Sequence, residues 1–211
     1  MKVAVIFLDY ARHEYTARTL KSLHSAGYPF DLFNIDRKGI AAAINDGLEK
    51  AWSYDAIVTA ANDILMPTDW LKTMVHYVSE ISETGMCGIH CVEGVGTPEN
   101  INGLTVNRTF TAFGNVMIPA KAFREIGFFA EEYDPYGMQD ADYAYRLDKL
   151  GFVNYYIPGM TSNHIGHDVG QETDYRKMKD EGLYRAGNVW NRLTSWYDST
   201  NNYKRLQRNG K

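Results

Sequence analysis

Apolar strand patterns and amphipathic helix patterns alternate along the first 93 residues. Apolar runs predict strands at 2–9, 30–36, 54–60 and 85–93, and helical spacing predicts helices at 14–27, 39–52 and 68–82. This β-α-β-α-β-α-β order favours a doubly wound, mostly parallel sheet, because parallel neighbours are joined by right-handed crossovers. The sequence therefore predicts an α/β fold with a Rossmann-like nucleotide-binding half.

The remainder of the chain is less regular. Residues 94–110 are rich in Gly, Asn and Thr and predict a long loop, of the kind that often serves as a lid. Further patterns predict a strand at 111–119, helices at 120–127 and 139–151, a strand at 152–158 and helix between 171 and 197. We expect one domain over residues 1–200, divided into halves 1–93 and 94–200. Residues 201–211 predict a polar tail or linker.

Charge and hydropathy argue against two classes of protein. The chain has 211 residues and a formal net charge of −4, so no general attraction to nucleic acid is expected. No apolar run approaches the roughly 18–20 residues of a transmembrane helix, and the N-terminus lacks a signal-peptide pattern.

The two cysteines favour a reducing environment. Cys87 and Cys91 are four residues apart on a predicted strand, hence about 13 Å apart and too distant for a disulfide. Free thiols predict a cytoplasmic protein. A metal site formed by Cys87, His90 and Cys91 is the alternative, but no second Cys/His pair supports it.

Polar side chains follow three predicted strands where each strand ends. Ligands of parallel sheets bind beyond the carboxyl ends of the strands. The residues at those ends are Asp9 and Tyr10, then Asp36, Arg37 and Lys38, then Asn62 and Asp63. Turn formation is the alternative for each position. Gly39 opens a helix whose free N–H groups could face a phosphate, but no GxGxxG or P-loop motif is present.

Two further segments carry residues suited to a metal site. Asp63, at a strand end before a helix, is a natural ligand for a hard divalent cation, with an Asx-turn as the alternative. His164 and His167 lie in "NHIGHD", where a strand and turn could return His164 to the ligand edge. A purely structural role is the alternative for each histidine.

The helix predicted from Gln139 opens with acidic residues. Asp140 falls in its first turn, where the helix dipole favours a carboxylate, and its stripe faces the core. A carboxylate there suits a general base in a pocket, with a simple capping acid as the alternative. Asp142 is predicted to pair with Arg146 at i,i+4.

Several stretches together resemble inverting, nucleotide-sugar-dependent glycosyltransferases with the GT-A fold, of the broad family-2 type. They are "VAVIFLDYARHEYTARTLKSL", "KGIAAAINDGLEKA", "IVTAANDILMPTDWL", and "TAFGNVMIPAKAFREIGFF" with "YGMQDADYAYRLDKLGF". "NHIGHD" falls where such enzymes often place a metal-binding histidine. The resemblance covers residues 2–168. It fits the catalytic domain of a larger protein, such as a viral glycosyltransferase, with further domains C-terminal to this chain.

The resemblance implies transfer of a sugar from a UDP-sugar or dTDP-sugar to a hydroxyl of a glycan or glycoconjugate acceptor. Asp140 would be the general base, and Asp63 and His164 would bind Mn²⁺ or Mg²⁺. The implied donor-binding residues are Leu8, Asp9, Tyr10, Arg12, Asp36, Lys38 and Asn62. Gly114, Gln139 and His167 would belong to the acceptor site or a lid.

Two departures from the family pattern leave rival functions open. Ala61 replaces the first Asp of the DxD motif, and Gln139 replaces the Glu before the catalytic Asp. A non-catalytic nucleotide-sugar-binding module is therefore one alternative. A sugar nucleotidyltransferase is another, although "LDYARHEYTA" lacks the glycines of a triphosphate loop.

Overall fold

The computed structural model describes residues 1–11, 13–91, 96–112, 114–166 and 173–208. The helices are α1 (Thr16–Leu23), α2 (Ile40–Lys50), α3 (Trp70–Glu80), α4 (Ala120–Ile126), α5 (Gln139–Lys149) and α6 (Asp174–Thr200). The strands are β1 (Val3–Leu8), β2 (Asp31–Ile35), β3 (Ala56–Ala61), β4 (Ile64–Leu65), β5 (Thr84–His90), β6 (Thr97–Ile101), β7 (Leu104–Arg108), β8 (Val116–Pro119), β9 (Val153–Thr161) and β10 (Asn163–His164).

One mixed sheet forms the centre of the molecule. Its strand order is β2-β1-β3-β8-β5-β9-β7-β6, and a small second sheet pairs β4 with β10. β1 runs parallel to β2 and β3, and β9 runs parallel to β5. β8 and β7 are antiparallel to their neighbours, so the other six strands share one direction. The predicted α/β fold with a mostly parallel sheet is confirmed.

Helices cover both faces of the sheet, and successive residues of β1 pack against opposite faces. Ala4 and Ile6 pack into a layer with α2, α4 and α5, whereas Val3, Val5 and Phe7 pack into a layer with α1 and α3. Successive strand residues face opposite sides, so a strand covered on both faces is apolar throughout. This is the physical reason for the uninterrupted apolar run at the N-terminus.

The prediction of a loop at 94–110 was wrong over most of this range. β6 and β7 form an antiparallel hairpin that extends the sheet beyond β9. Asn102 and Gly103 turn it with φ values of 52° and 84°, as a type I′ turn requires at both positions. Residues 94 and 95 lie outside the described residues.

The C-terminal part packs against the irregular half of the domain. Ala186, Leu193 and Tyr197 of α6 are buried against Ala130 and Tyr133. Residues 201–208 follow the same surface and form a backbone bridge to residue 127. No helix in the described part of the chain is long and apolar enough to span a bilayer.

Candidate active site

Asp63 and His164 meet at the edge where β3 ends. His164 Nε2 lies 3.1 Å from Asp63 Oδ2, and the two side chains are only 18% and 12% exposed. The small β4–β10 sheet brings them together, because it pairs Ile64 with His164. The Ile165 N–H also donates to the Asp63 carbonyl at 2.9 Å. Two residues 101 positions apart thus share one polar site.

The chemistry of this pair suits a divalent cation. A carboxylate oxygen and an imidazole nitrogen are both ligands of Mn²⁺-type metals. Gly166 leaves space for the Asp63 carboxylate, since a Cβ at this position would lie 2.5 Å from Asp63 Oδ2. Among the described residues, no group of three or more His, Cys, Asp or Glu side chains could hold a metal. Within the described residues, Asp63 and His164 are therefore the only carboxylate and imidazole side chains brought together at this point.

The cysteines do not extend this site. Cys87 is buried, Cys91 is partly buried, and both are free, as predicted. Burial, and to a lesser degree the Asp63 charge, raises the pKa of Cys91. Within the ranges that the structure describes, neither cysteine belongs to a group of three or more possible metal ligands.

Asp140 opens α5 with its carboxyl turned toward the start of the helix. Its Oδ1 accepts a hydrogen bond from the Ala141 N–H at 2.9 Å, and the residue is only partly exposed. Burial raises the pKa of Asp140 to about 6, although backbone hydrogen bonds partly oppose this shift. A carboxyl with that pKa is ionised at neutral pH and still basic enough to accept a proton.

Contacts of Thr111 and Gly114 connect the start of α5 with the end of β3. Thr111 Oγ1 donates to the Asp140 carbonyl at 3.4 Å. Three residues later, a Cβ at Gly114 would lie 3.3 Å from the Ile64 side chain. Three peptide units span at most ~11 Å. The start of α5 therefore lies at the same edge of the sheet as the end of β3, and Gly114 lies beside Ile64, the residue after Asp63.

Asp9 is engaged in a hydrogen-bond network within the protein. Thr16 Oγ1, Asn34 Nδ2 and Asn62 Nδ2 donate to its carboxylate at 2.5, 3.2 and 3.4 Å, and His13 Nδ1 lies 3.3 Å away. Burial raises the pKa of Asp9, but these hydrogen bonds outweigh it and hold the pKa below its usual value. A carboxylate has about four acceptor positions. The network therefore does not favour the predicted direct contact of Asp9 with a nucleotide, because neighbouring side chains already occupy those positions.

Asn62 fastens the β1–α1 connection to the end of β3. Its Nδ2 donates to the Ala11 carbonyl at 2.7 Å as well as to Asp9. The middle residue of the altered DxD motif thus has a structural role that its amide explains.

A cavity of about 80 Å³ lies next to these residues. Three residues predicted to bind the donor line it, namely Leu8, Tyr10 and Asn62. Tyr136 and Tyr175 form another wall. The cavity is mainly apolar and aromatic, with polar groups at one side. A larger cavity of about 380 Å³ between α6 and the tail is lined by none of the predicted site residues.

Other predicted residues lie elsewhere or are not described. Asp36 and Lys38 are exposed beyond β2 and do not line the cavity, whereas Arg37 between them does. Gln139 Oε1 accepts from the Gly137 N–H at 3.1 Å. Arg12 and His167 lie outside the described residues.

The start of α2 is occupied by a carboxylate of the protein itself. The N–H groups of Ala41 and Ala42 donate to Asp134 Oδ1 and Oδ2 at 2.9 and 3.0 Å. A Cβ at Gly39 would lie 2.7 Å from that carboxylate. The prediction that these N–H groups face a phosphate was therefore wrong.

Sequence reasoning also missed residues that shape this edge. Gly166, inside the "NHIGHD" motif, was detectable as a glycine next to a predicted ligand. Asp134, Tyr136 and Tyr175 had no local signal, because each acts on an element far away in the sequence.

Solved structures match this fold, although a scan against protein-family models and a search of curated proteins give no match. The catalytic domain of Drosophila β1,4-galactosyltransferase 7, in complex with xylobiose, gives a TM-score of 0.60 at 16% identity, covering 84% of this chain and 78% of that chain. Another structure of the Drosophila enzyme contains manganese, UDP-Gal and xylobiose.

Two further structures extend the comparison. GalNAc-T7 with UDP, GalNAc and Mn²⁺ gives a TM-score of 0.63 at 13% identity, covering 82% of this chain and 45% of that chain. The mannosyltransferase PcManGT from Pyrobaculum calidifontis, with GDP-Man and Mn²⁺, gives 0.62 at 18% identity, covering 80% and 58%. This chain thus spans about half the length of these two proteins. At such identities the similarity establishes the fold, and the fold of this chain is GT-A.

Proposed function

We propose that this chain, which has the GT-A fold, is a metal-dependent inverting glycosyltransferase that moves a sugar from a nucleoside diphosphate sugar to an acceptor hydroxyl. The observation that carries the proposal is the 3.1 Å contact between Asp63 and His164, with Asp140 at the same sheet edge. A carboxylate–imidazole pair suited to a cation, at the same sheet edge as a carboxyl of raised pKa, supports this transfer.

Asp63 and His164 would hold Mn²⁺ or Mg²⁺. When bound, the cation supplies positive charge to the diphosphate as it leaves. Manganese in the structures of the Drosophila, GalNAc-T7 and PcManGT proteins supports this assignment. Ala61 removes one carboxylate from the motif, so we expect weaker metal binding than a complete DxD motif provides.

The donor is proposed to be a UDP-sugar or dTDP-sugar. UDP or UDP-Gal is present in the GalNAc-T7 and Drosophila structures, whereas PcManGT holds GDP-Man. The pyrimidine base would enter the cavity beside Leu8 and Tyr10. The aromatic walls offer flat apolar faces for such a ring.

Asp140 would accept the proton of the acceptor hydroxyl as that oxygen attacks the anomeric carbon from the face opposite the diphosphate. This one-step displacement inverts the anomeric configuration. The acceptor is proposed to be a glycan or glycoconjugate, in keeping with the xylobiose held by the Drosophila enzyme. The neutral side chain of Gln139 would lie beside it.

A donor screen with Asp140→Asn tests the proposal. Thermal shifts with UDP-, dTDP- and GDP-sugars, with and without Mn²⁺, identify the donor, and release of the nucleoside diphosphate measures turnover. We expect Asp140→Asn to reduce turnover by roughly 10²–10⁴-fold and to bind UDP as the native protein does. Weaker UDP binding by the variant would assign Asp140 a structural role instead.

A non-catalytic nucleotide-sugar-binding module is the second candidate, favoured by Ala61 and by the two-residue ligand set. Such a module would bind UDP with Mn²⁺ yet release no nucleoside diphosphate in an Asp140-dependent way. The same pair of assays therefore separates the two functions.

A further inference from the structure

Lys179 of α6 lies one helical turn after Tyr175, which lines the 80 Å³ cavity. Its ammonium group is 5.3 Å from the ring centroid of Tyr136 and 5.1 Å from that of Tyr175. Both rings line the cavity. Cation–π attraction to two rings restricts a side chain that is otherwise flexible. The protein thus holds a positive charge beside the cavity.

Another part of the cavity wall directly precedes Asp63 in the sequence. Ala61 and Asn62 line the cavity, and the next residue is Asp63. A group that joins a ring in the cavity to a cation at Asp63 must therefore pass along this wall. In a nucleoside diphosphate that group is the diphosphate.

The altered motif increases the need for positive charge at this point. With Ala61 in place of an acid, Asp63 is the single carboxylate of the motif. A cation held by fewer protein ligands binds less tightly, and so neutralises the diphosphate for a smaller fraction of the time. A lysine is a compact point charge that binds phosphate from a flexible stem.

We infer that Lys179 binds the diphosphate of the donor and stabilises it as it leaves, sharing this task with the cation. The inference rests on the proposed function and adds a substrate-binding residue from a helix that the donor-binding motifs do not include. Tyr136 and Tyr175 act as positioning residues, because their rings hold the ammonium in place.

Lys179→Met is the most informative change. Methionine keeps an unbranched chain over the two rings and a high helix propensity, and removes only the charge. Lys177→Met is the matched control, since Lys177 is 69% exposed and residues two apart on a helix do not face the same side. Lys179→Arg keeps the charge and serves as the conservative variant.

Calorimetry with UDP, GDP, uridine and guanosine, each in the presence of Mn²⁺, provides the test. We expect Lys179→Met to weaken binding of the preferred nucleoside diphosphate roughly 10- to 100-fold, with the matching nucleoside unaffected. Lys177→Met should match the native protein, and Lys179→Arg should keep most of the affinity.

Two results would overturn the inference in different ways. Unchanged diphosphate affinity in Lys179→Met would remove Lys179 from the donor site and leave the proposed function intact. Failure of the native protein to bind either UDP or GDP would reject the proposed function itself, and the role of Lys179 with it.

Discussion

The Asp140 side chain shows how local burial raises the pKa of a carboxyl. Its pKa is raised to about 6 by burial, while Asp9, at the same edge of the sheet, has a lowered pKa because hydrogen bonds outweigh burial. Two carboxylates at the same edge of the sheet therefore have pKa values shifted in opposite directions. The difference lies in the number of donors that each one meets.

The raised pKa of Asp140 predicts two pH dependences. As a base it must be ionised, so turnover should rise with pH through about 6 and then level off. Because the folded pKa exceeds the unfolded one, the carboxyl favours folding below pH ~4, and this contribution is lost as the pH rises through about 6.

At pH 7.5 the free energy of unfolding of Asp140→Asn should therefore exceed that of the native protein by about 1–3 kcal/mol. The melting temperature should be higher by roughly 2–10 °C. At pH 4 the two proteins should nearly coincide. Scanning calorimetry at both pH values measures the difference. A lower melting temperature for the variant at pH 7.5 would contradict the buried-carboxylate interpretation.

Gly166 makes the Asp63–His164 pair sensitive to a single added methyl group. A Cβ there would lie 2.5 Å from Asp63 Oδ2, so Gly166→Ala must displace the carboxylate from His164. We expect Mn²⁺-dependent UDP binding to weaken at least about tenfold, as titration calorimetry would measure.

Gly187→Ala is the control for that change. A Cβ at this helical position meets nothing within 4 Å, so it should leave binding unchanged and stabilise α6 by about 0.5–1 kcal/mol. Equal effects of the two substitutions on binding would show that the crowding at Asp63 has no consequence.

The helix α2 begins against a side chain from a distant segment. Asp134 accepts hydrogen bonds from two N–H groups of its first turn, and its negative charge faces the positive end of the helix dipole. Capping residues usually lie next to the helix in sequence. Here the cap joins α2 to the segment before α5, and so fixes the cavity wall that Tyr136 forms.

Asp134→Ala should consequently destabilise the protein by about 1–2 kcal/mol, or roughly 2–8 °C. Thermal unfolding checks this value. Asp148→Ala is the comparison, because Asp148 is exposed near the C-terminal end of α5, where an acid opposes the dipole. That control should be neutral or slightly stabilising.

Across the whole chain, residues 201–208 return to the domain that the N-terminal elements begin. Arg205 makes two 2.9 Å contacts with the Glu132 carboxylate, and its N–H donates to the Ile126 carbonyl at 2.8 Å. Arg208 contacts Asp46 of α2 at 2.7 Å and Glu131 at 2.6 Å. The polar composition that predicted a tail or linker therefore reflects ion pairs with the domain surface.

Removal of residues 202–211 should lower stability by about 2–4 kcal/mol, or roughly 5–15 °C, measured by thermal unfolding of the truncated chain. Lys204→Ala provides the comparison. Its exposed pairing with Glu125 should contribute less than ~1 kcal/mol. If the truncated chain has the same melting temperature as the native protein, the tail contributes nothing to the stability of the fold.

Local patterns in the sequence were sufficient for the central sheet and for most helices. The apolar run of β1, the helical spacing of α3 and the pairing of Asp142 with Arg146 at 2.9 Å each depend on residues close together in the chain. The β6–β7 hairpin was missed although its Asn-Gly turn is a local signal, so that error lay in interpretation. Residue type and position singled out Asp63, His164 and Asp140, and resemblance to a family assigned their roles.

Contacts between distant segments were decided only when the chain folded. Hydrophobic periodicity identifies which face of a helix or strand is buried, because the apolar face avoids water whatever it packs against. It does not identify which carboxylate caps α2, which donors hydrogen-bond to the Asp9 carboxylate, or which aromatic rings contact Lys179. Those outcomes depend in part on three-dimensional neighbours up to 93 positions away, which no local pattern of residues encodes.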